Sequence, residues 1–442
     1  MVNFARLIYY LASAMQRQHW DRDKLRKYQE KRLRAVVKYA YEHVPFYHKK
    51  FKSAGIKPDD IKCLENLSKL PLIRKSEFRQ VSPRQRVSIE FDINKLKMIR
   101  TSGSTGEPFT IYICDREDEW RKAIYMRANI SCGQRPRDRW VTVTAPHHFH
   151  DTTEIQRMLG IYAQKCISVF ERVEDQVKKI EKFNPDILDG YSGSLLLLAQ
   201  EVKRQGINTI RPRIIFGSAD FIGIESRKFL EDVFNAPFYD QFGCAEIDRS
   251  AWQCIERNNY HMDVDSVIIQ FIDENGEEVA HGERGEIVYT SLFNYAHPII
   301  RYAINDVGIP VDGECSCNIK LPLMKIVEGR KDSFIVLRDG RIFAPMSFWT
   351  IMRYFKYSDY IEKFRVIQKS LDMMEILVKK TKTMPFNEDF LRKSIIEHVA
   401  NCLRIDLEGS FELKVEFVEE IPLDKSGKVR SVISLVSASQ NI

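Results

Sequence analysis

The sequence lacks an apolar run long enough to cross a bilayer as a helix, so no transmembrane helix is expected. An N-terminal stretch, Leu7-Ile8-Tyr9-Tyr10-Leu11 before Ala12-Ser13-Ala14, imitates a secretory h-region, yet only Arg6 supplies a positive charge ahead of it. It reads as a docked N-terminal helix, with a peripheral membrane contact as the alternative. Internal repeats and low-complexity tracts are missing, and 20 glycines with 16 prolines are near average usage, so collagenous and long disordered architectures drop out. Nine cysteines form an odd set without the regular spacing of a disulfide scaffold, so a reducing, cytoplasmic setting is expected. There is also no strong excess of one charge. The 68 basic and 61 acidic residues leave +7, which suits an anionic small molecule and makes no case for nucleic acid.

What is present is a chain of 442 residues, 44% hydrophobic, more than one compact core usually holds. From Asp21 to Val44, Leu25, Leu33, Val36, Val37, Ala40 and Val44 fall at helical spacing, and Pro45 stops that helix. Strand-like and helical runs then alternate: Val141 to Thr144, the helix around Val173, Val177 and Ile180, Leu195 to Val202, and Arg213 to Phe216. This is the α/β pattern. Val267 to Ile272 and Glu286 to Leu292, joined by a turn-rich stretch with Asn275-Gly276, predict a β subdomain. After Gly329-Arg330 come a hairpin turning at Asp339-Gly340, a helix from Glu388 to Leu403 capped by Asn387, and a strand in which Phe411, Leu413, Val415 and Phe417 alternate with polar residues.

Three motifs carry chemistry. Thr101-Ser102-Gly103-Ser104-Thr105-Gly106-Glu107-Pro108 combines glycines, which let successive N–H groups converge on an anion, with hydroxyl donors. It lacks the Gly-Lys-Ser/Thr and following helix of a Walker A loop; alone it would read as a surface turn. In Tyr239-Asp240-Gln241-Phe242-Gly243-Cys244-Ala245-Glu246 an aromatic can stack on a purine and a carboxylate can hold magnesium. Asp306 could accept from both ribose hydroxyls. Gly329-Arg330-Lys331-Asp332 pairs with Ser426-Gly427-Lys428-Val429-Arg430, where a lysine on a glycine turn can reach a phosphate and be withdrawn. Taken singly, each is more often a core aromatic, a turn or a solvated charge.

In order and spacing, these segments resemble the core motifs of the adenylate-forming superfamily of acyl-CoA synthetases and adenylation domains. Val44-Pro45-Phe46-Tyr47 after a basic helix, the short chain and the C-terminal domain are most similar to the phenylacetate-CoA ligase family, with its capsule-locus and deazaflavin-adenylylating members. The resemblance covers essentially the whole chain. It implies an α/β fold: a large N-terminal domain of mixed sheets with a β subdomain over 1–331, and a small mobile α+β domain over 332–442. It further implies that Ser102, Gly103, Ser104, Thr105 and Gly106 grip phosphate, that Ser218, Ala219, Asp220, Gln241, Phe242 and Gly243 frame the adenine, and that Glu246 serves magnesium. Asp306 would hold the ribose, Arg330 would lie near the nucleotide, Asp332 would be the hinge and Lys428 would drive adenylation. Relatives usually carry Thr or Ser where this chain has Ala245, which would remove a hydrogen bond worth about 0.5–1.5 kcal/mol, or up to about 3 if a charged oxygen is left unpaired. Glu107 and Phe109 stand where relatives often place a lysine.

Cys254, His261, Cys315 and Cys317 make a full tetrahedral set with no open position, the form of structural zinc. Their spacing is not that of common fingers, and four unrelated residues are the alternative; some phenylacetate-CoA ligase relatives look similar here. The expected activity is ATP-dependent adenylation of a carboxylic acid, followed by transfer to coenzyme A, by a chain for which a homodimer is compatible. The alternatives are adenylylation of a non-carboxylate cofactor, acid activation for polysaccharide tailoring without CoA, and an inactive nucleotide-binding scaffold. Histidines in Ala145-Pro146-His147-His148-Phe149-His150 either line a substrate pocket or sit in a solvated loop.

Overall fold

The computed structural model describes residues 3–100, 109–149, 152–219, 222–330, 335–339, 341–343, 348, 351–352, 355–381, 387–406, 411–421 and 430–436. They divide into two compact units, Met1–Ile304 with Gly308–Val327, and Asn305–Val307 with Glu328–Ile442.

Helix α1 (Phe4–Arg17) is capped by Asn3 and docks Tyr10 and Ala14 on an apolar patch around Trp120, Ala123 and Ile124. Asp21 accepts the Lys24 N–H and starts α2 (Arg22–His43), whose periodic apolar face is buried as the sequence predicts. Pro45 does more than stop it. Val44 turns extended, and Pro45, its φ already fixed for a first helical position, opens α3 (Pro45–Ser53). The short strand β1 (Ile73–Arg74) leads into α4 (Lys75–Arg79) and α5 (Pro83–Arg86). A hairpin of β2 (Lys97–Arg100) and β3 (Thr110–Ile113) brackets the hydroxyl- and glycine-rich motif, and α6 (Asp115–Ser131) follows.

The alternating run builds a parallel array from β4 (Trp140–Thr144), β5 (Gln164–Ser168), β6 (Ile187–Tyr191), β7 (Ile214–Ser218) and β8 (Phe238–Cys244). The connections include α7 (Glu154–Leu159), α8 (Val173–Phe183), α9 (Ser192–Arg204) and α10 (Ile224–Phe234). Leu188 and Ile215 pack with Val177, Ile180, Leu195, Leu198 and Leu230 in one core, while Ile187, Ile214 and Phe216 join the core that includes α2 and α3. With both faces covered, β4 is buried at every position rather than alternating.

The sheet continues antiparallel through β9 (Asp248–Gln253) and β10 (Tyr260–Met262), then takes in β11 (Val267–Ile272), β12 (Gly285–Ser291), β13 (Tyr302–Val311) and β14 (Leu323–Arg330). Its strand order is β11-β12-β13-β14-β10-β9-β8-β7-β6-β4-β5, with β1 on β13. β11 and β12 pair as expected, and Gly276 takes the positive φ of +84° in their connection.

Five buried charges form a network at α6. Arg127, 0% exposed, donates to Asp263 and Asp265; Arg17 of α1 also reaches Asp265, at 2.7 Å, while Trp252 Nε1 and Arg249 reach Asp263. The network ties α1 and α6 to β9 and to the end of β10.

In the second unit β15 (Ile335–Val336) pairs with β16 (Ile342–Phe343), and a four-stranded sheet is formed by β17 (Ile361–Ser370), β18 (Met373–Lys380), β19 (Glu412–Phe417) and β20 (Val432–Ser434), in the order β19-β18-β17-β20. Helix α11 (Glu388–Leu403) is capped by Asn387, as the sequence predicts, and places Leu391, Ile395, Val399 and Leu403 in the core of this unit. Helix and sheet together make the expected α+β domain.

Candidate active site and metal centre

The carboxyl ends of parallel strands are where α/β sheets bind ligands, and there the register sets Tyr191 beside Ser218 and Ser218 beside Gln241. Ser218 and Gln241, both expected to frame a nucleotide, are thus brought together. Ala219, next to them, holds φ +72°, a left-handed conformation that costs a residue with a Cβ about 1 kcal/mol or more. Gln241 Nε2 donates to Asn129 Oδ1 at 2.8 Å. Past it, the ladder with β9 is irregular between Phe242 and Gly243, and a Cβ on Gly243 would lie 2.0 Å from the Asp248 carbonyl. Glycine is needed because the turn folds back on itself at that point, delivering Glu246 to the site.

Glu246 is 5% exposed. Its Oε1 accepts from Tyr302 Oη at 3.0 Å and lies 3.2 Å from Lys75 Nζ, while Arg121 Nη2 donates to its backbone carbonyl at 2.6 Å. Burial alone would push this carboxyl up; the Lys75 charge and the hydrogen bonds outweigh it and hold the group below the usual carboxylate range. Burial, then the Glu246 charge, push the Tyr302 hydroxyl far up, so it stays a donor. The site therefore offers a fixed, ionised, acceptor-only carboxylate beside a cation, which suits a magnesium–phosphate partner.

Lys75 and Arg121 were not legible as site residues: one lies 171 positions before Glu246 and the other 125, with no motif around either. Tyr302 lies four positions before Asp306, and its strand, β13, is four strands from β8 in the sheet, a nearness that no local pattern signals. Asp306 lies on β13, half-buried, among the residues grouped with the second unit. Arg330 ends β14. Ser102, Gly103, Ser104, Thr105, Gly106, Asp220, Asp332 and Lys428 lie outside the described residues.

A second buried carboxyl lies in the parallel array. Asp189 accepts from Tyr125 Oη at 3.0 Å and Thr142 Oγ1 at 3.3 Å, and burial, only partly offset by these donors, pushes it up to about 6. With its folded value above the unfolded one, protonated Asp189 is favoured in the native state, so the stability it contributes is present below pH about 4 and lost as pH rises through 6. Asp189→Asn should remove this dependence: in paired urea titrations, wild-type stability relative to the variant is expected to fall by about 2 kcal/mol between pH 4 and pH 7. A constant difference would place the titration elsewhere.

Cys254, His261, Cys315 and Cys317 converge as the sequence predicts. All four ligand atoms lie within 4.8 Å of one another. Cys254 Sγ is 3.6 Å from Cys315 Sγ and Cys317 Sγ is 3.3 Å from His261 Nε2. His261 Nδ1 lies 3.3 Å from the Leu321 carbonyl and donates its N–H to it, which leaves the Nε2 lone pair facing the thiols. Burial lowers the His261 pKa, keeping the imidazole neutral, and burial raises Cys254 and Cys317, the desolvation penalty that a dication reverses. The donor set fits a closed tetrahedral ion. Cys254 follows β9 directly, His261 pairs with Trp252 of β9 and Leu323 of β14, and the cysteine pair lies between β13 and β14, so an ion here would staple neighbouring strands.

Comparison with known proteins agrees with this architecture. Residues 339–435 match the model of the CapK C-terminal domain. The chain is 27% identical over 395 residues to phenylacetate-coenzyme A ligase of Pseudomonas putida, covering 86% of this chain and 88% of the relative, and 23% identical to protein CapK of Staphylococcus aureus, covering 92% and 88%. Among solved structures, 2-hydroxyisobutyryl-CoA ligase in the postadenylation state superposes with a TM-score of 0.73 at 19% identity, covering 94% of this chain and 90% of that one. The anthranilate CoA ligase AuaEII, with anthranoyl-AMP, gives 0.54 at 15% identity, covering 83% and 73%. The chain thus has the fold of the adenylate-forming CoA ligases and counts phenylacetate-CoA ligases and CapK among its relatives along most of its length.

Proposed function

We propose that the chain adenylates a carboxylic acid with ATP and passes the acyl group to coenzyme A. The observation that carries the reading is the buried, ionised Glu246 held by Lys75 and Tyr302 beside the nucleotide-framing strand ends. A carboxylate oxygen of the acid attacks the α-phosphorus, the bond from that phosphorus to the bridging oxygen breaks, and pyrophosphate leaves with the bond's electron pair. The thiol sulfur then attacks the acyl carbon, AMP departs, and the thiol proton passes to solvent. Magnesium, held through Glu246, supplies neutralisation of phosphate charge. Ser102 to Gly106 grip the phosphates, Ser218, Ala219, Asp220 and Gln241 to Gly243 frame the adenine, Asp306 holds the ribose, and Arg330 lies near the nucleotide. Lys428 stabilises the charge built in adenylation, and the domain from 332 onward turns about Asp332 to withdraw it.

Pyrophosphate release across aryl, fatty, amino and sugar acids, with and without coenzyme A, tests this. Release should require one acid class, produce a thioester only with coenzyme A, and fall about 10²-fold or more in Lys428→Ala. Release without any CoA-dependent product would move the reading to adenylylation of another acceptor.

Cys254, His261, Cys315 and Cys317 are proposed to hold structural zinc. Gently purified protein should carry about one zinc per chain, and Cys317→Ser should lose both the metal and thermal stability; metal-free wild-type protein of full stability would remove the centre.

A further inference from the structure

Next to Glu246, a set of buried donors has no hydrogen-bond partner among the described residues. Arg86 ends α5, is 5% exposed, and sets its guanidinium carbon 4.5 Å from the centre of the Phe109 ring; neither Nε nor Nη1 has a hydrogen-bond partner. His297, 0% exposed, lies against the same ring at 6.0 Å. Its Nδ1 accepts the Tyr112 N–H at 3.4 Å, so the proton sits on Nε2, and that N–H is also unpartnered. Arg121 donates Nη1 and Nη2 to the carbonyls of Ala245 and Glu246 and leaves Nε without a partner. Glu117, one turn from Arg121 on α6, is occupied by the backbone N–H groups of Cys114, Tyr295 and Ala296.

Every open valence in this cluster is a donor, and two of its three residues are cations. A guanidinium buried on an aromatic face without a counter-charge costs several kcal/mol, and hydrogen bonds to a charged oxygen are the interactions that offset it. Burial and the neighbouring arginines hold His297 well below its usual value, so the imidazole stays a neutral single donor and adds no repulsion. Phe109, which Arg86 and His297 share, directly follows the Thr101–Pro108 motif in sequence, and Arg121 links the cluster to Glu246.

We propose that Arg86, His297 and Arg121 form a buried oxyanion site, separate from the Lys75–Glu246 contact, that takes one carboxylate or phosphoryl group. Its source depends on the adenylation reading: either the pyrophosphate end of the nucleotide or a second acidic group on the acid substrate. Calorimetry on the full chain separates these, with inorganic pyrophosphate and glutarate as probes, butyrate as the single-carboxylate control and AMP as the nucleotide control. Pyrophosphate or glutarate should bind, Arg86→Gln should weaken that probe at least about tenfold, and Arg86→Lys should recover part of the loss. The probe that weakens names the source. AMP binding should be the same in all variants, and its failure in wild type would count against the nucleotide reading alone. His297→Leu, which keeps both charges, should also weaken the same probe, and it decides the matter if Arg86→Gln does not fold. Folded Arg86→Gln or His297→Leu binding both probes like wild type, or wild type binding neither at millimolar concentration, overturns the site.

Discussion

Glu246→Gln is expected to lower acid-dependent pyrophosphate release by about 10²–10³-fold while leaving the fold intact. Glutamine keeps the shape and can still accept from Tyr302 Oη through its carbonyl oxygen, so the buried tyrosine keeps its partner. What disappears is the negative charge that Lys75 and the hydrogen bonds hold ionised against burial. Because that charge is assigned to magnesium, the variant should also need more magnesium for half-maximal rate, a readout that a general loosening of the site would not produce. Unchanged release at low magnesium would remove Glu246 from the reaction.

The largest expected effect on stability is at Arg127. Arg127→Met fills much of the same volume but strips Asp263 and Asp265, both fully buried, of their shared guanidinium. Breaking one side of a buried ionic cluster typically costs about 3–5 kcal/mol, because the remaining charges stay in low dielectric. Arg17 and Arg249 cannot compensate, since each already reaches only one of the two aspartates. The variant should unfold at lower urea, and α1 should lose amide protection first because Arg17 anchors it through Asp265. A midpoint within error of wild type would show the network to be dispensable.

The sequence was most legible where one physical signal acted alone. The capping residue Asn387 marked the start of α11, whose span matches the expected helix from Glu388 to Leu403, and alternation marked β19. The Cys254, His261, Cys315 and Cys317 set was legible because three thiols and an imidazole complete a tetrahedral donor set, and the register of β9, β10 and β14 draws them together. Legibility failed where function depends on pairing between distant segments. Lys75 belongs to a short helix, and its carboxylate partner is reached only once β1 has paired with β13 and β8 has turned at Gly243. Arg86 and His297 carry no local pattern at all, and their importance lies in partners that are missing. Pro45 was read as a stop, whereas the same fixed φ that ends one helix begins the next.

The most direct test of the central claim is exchange of labelled pyrophosphate into ATP. Exchange requires a reversible acyl-adenylate and does not depend on the acceptor. Exchange that depends on one acid class, needs no coenzyme A and is lost in Lys428→Ala and Glu246→Gln is the predicted result. Acid-independent exchange, or none with any acid while ATP still binds, would contradict it.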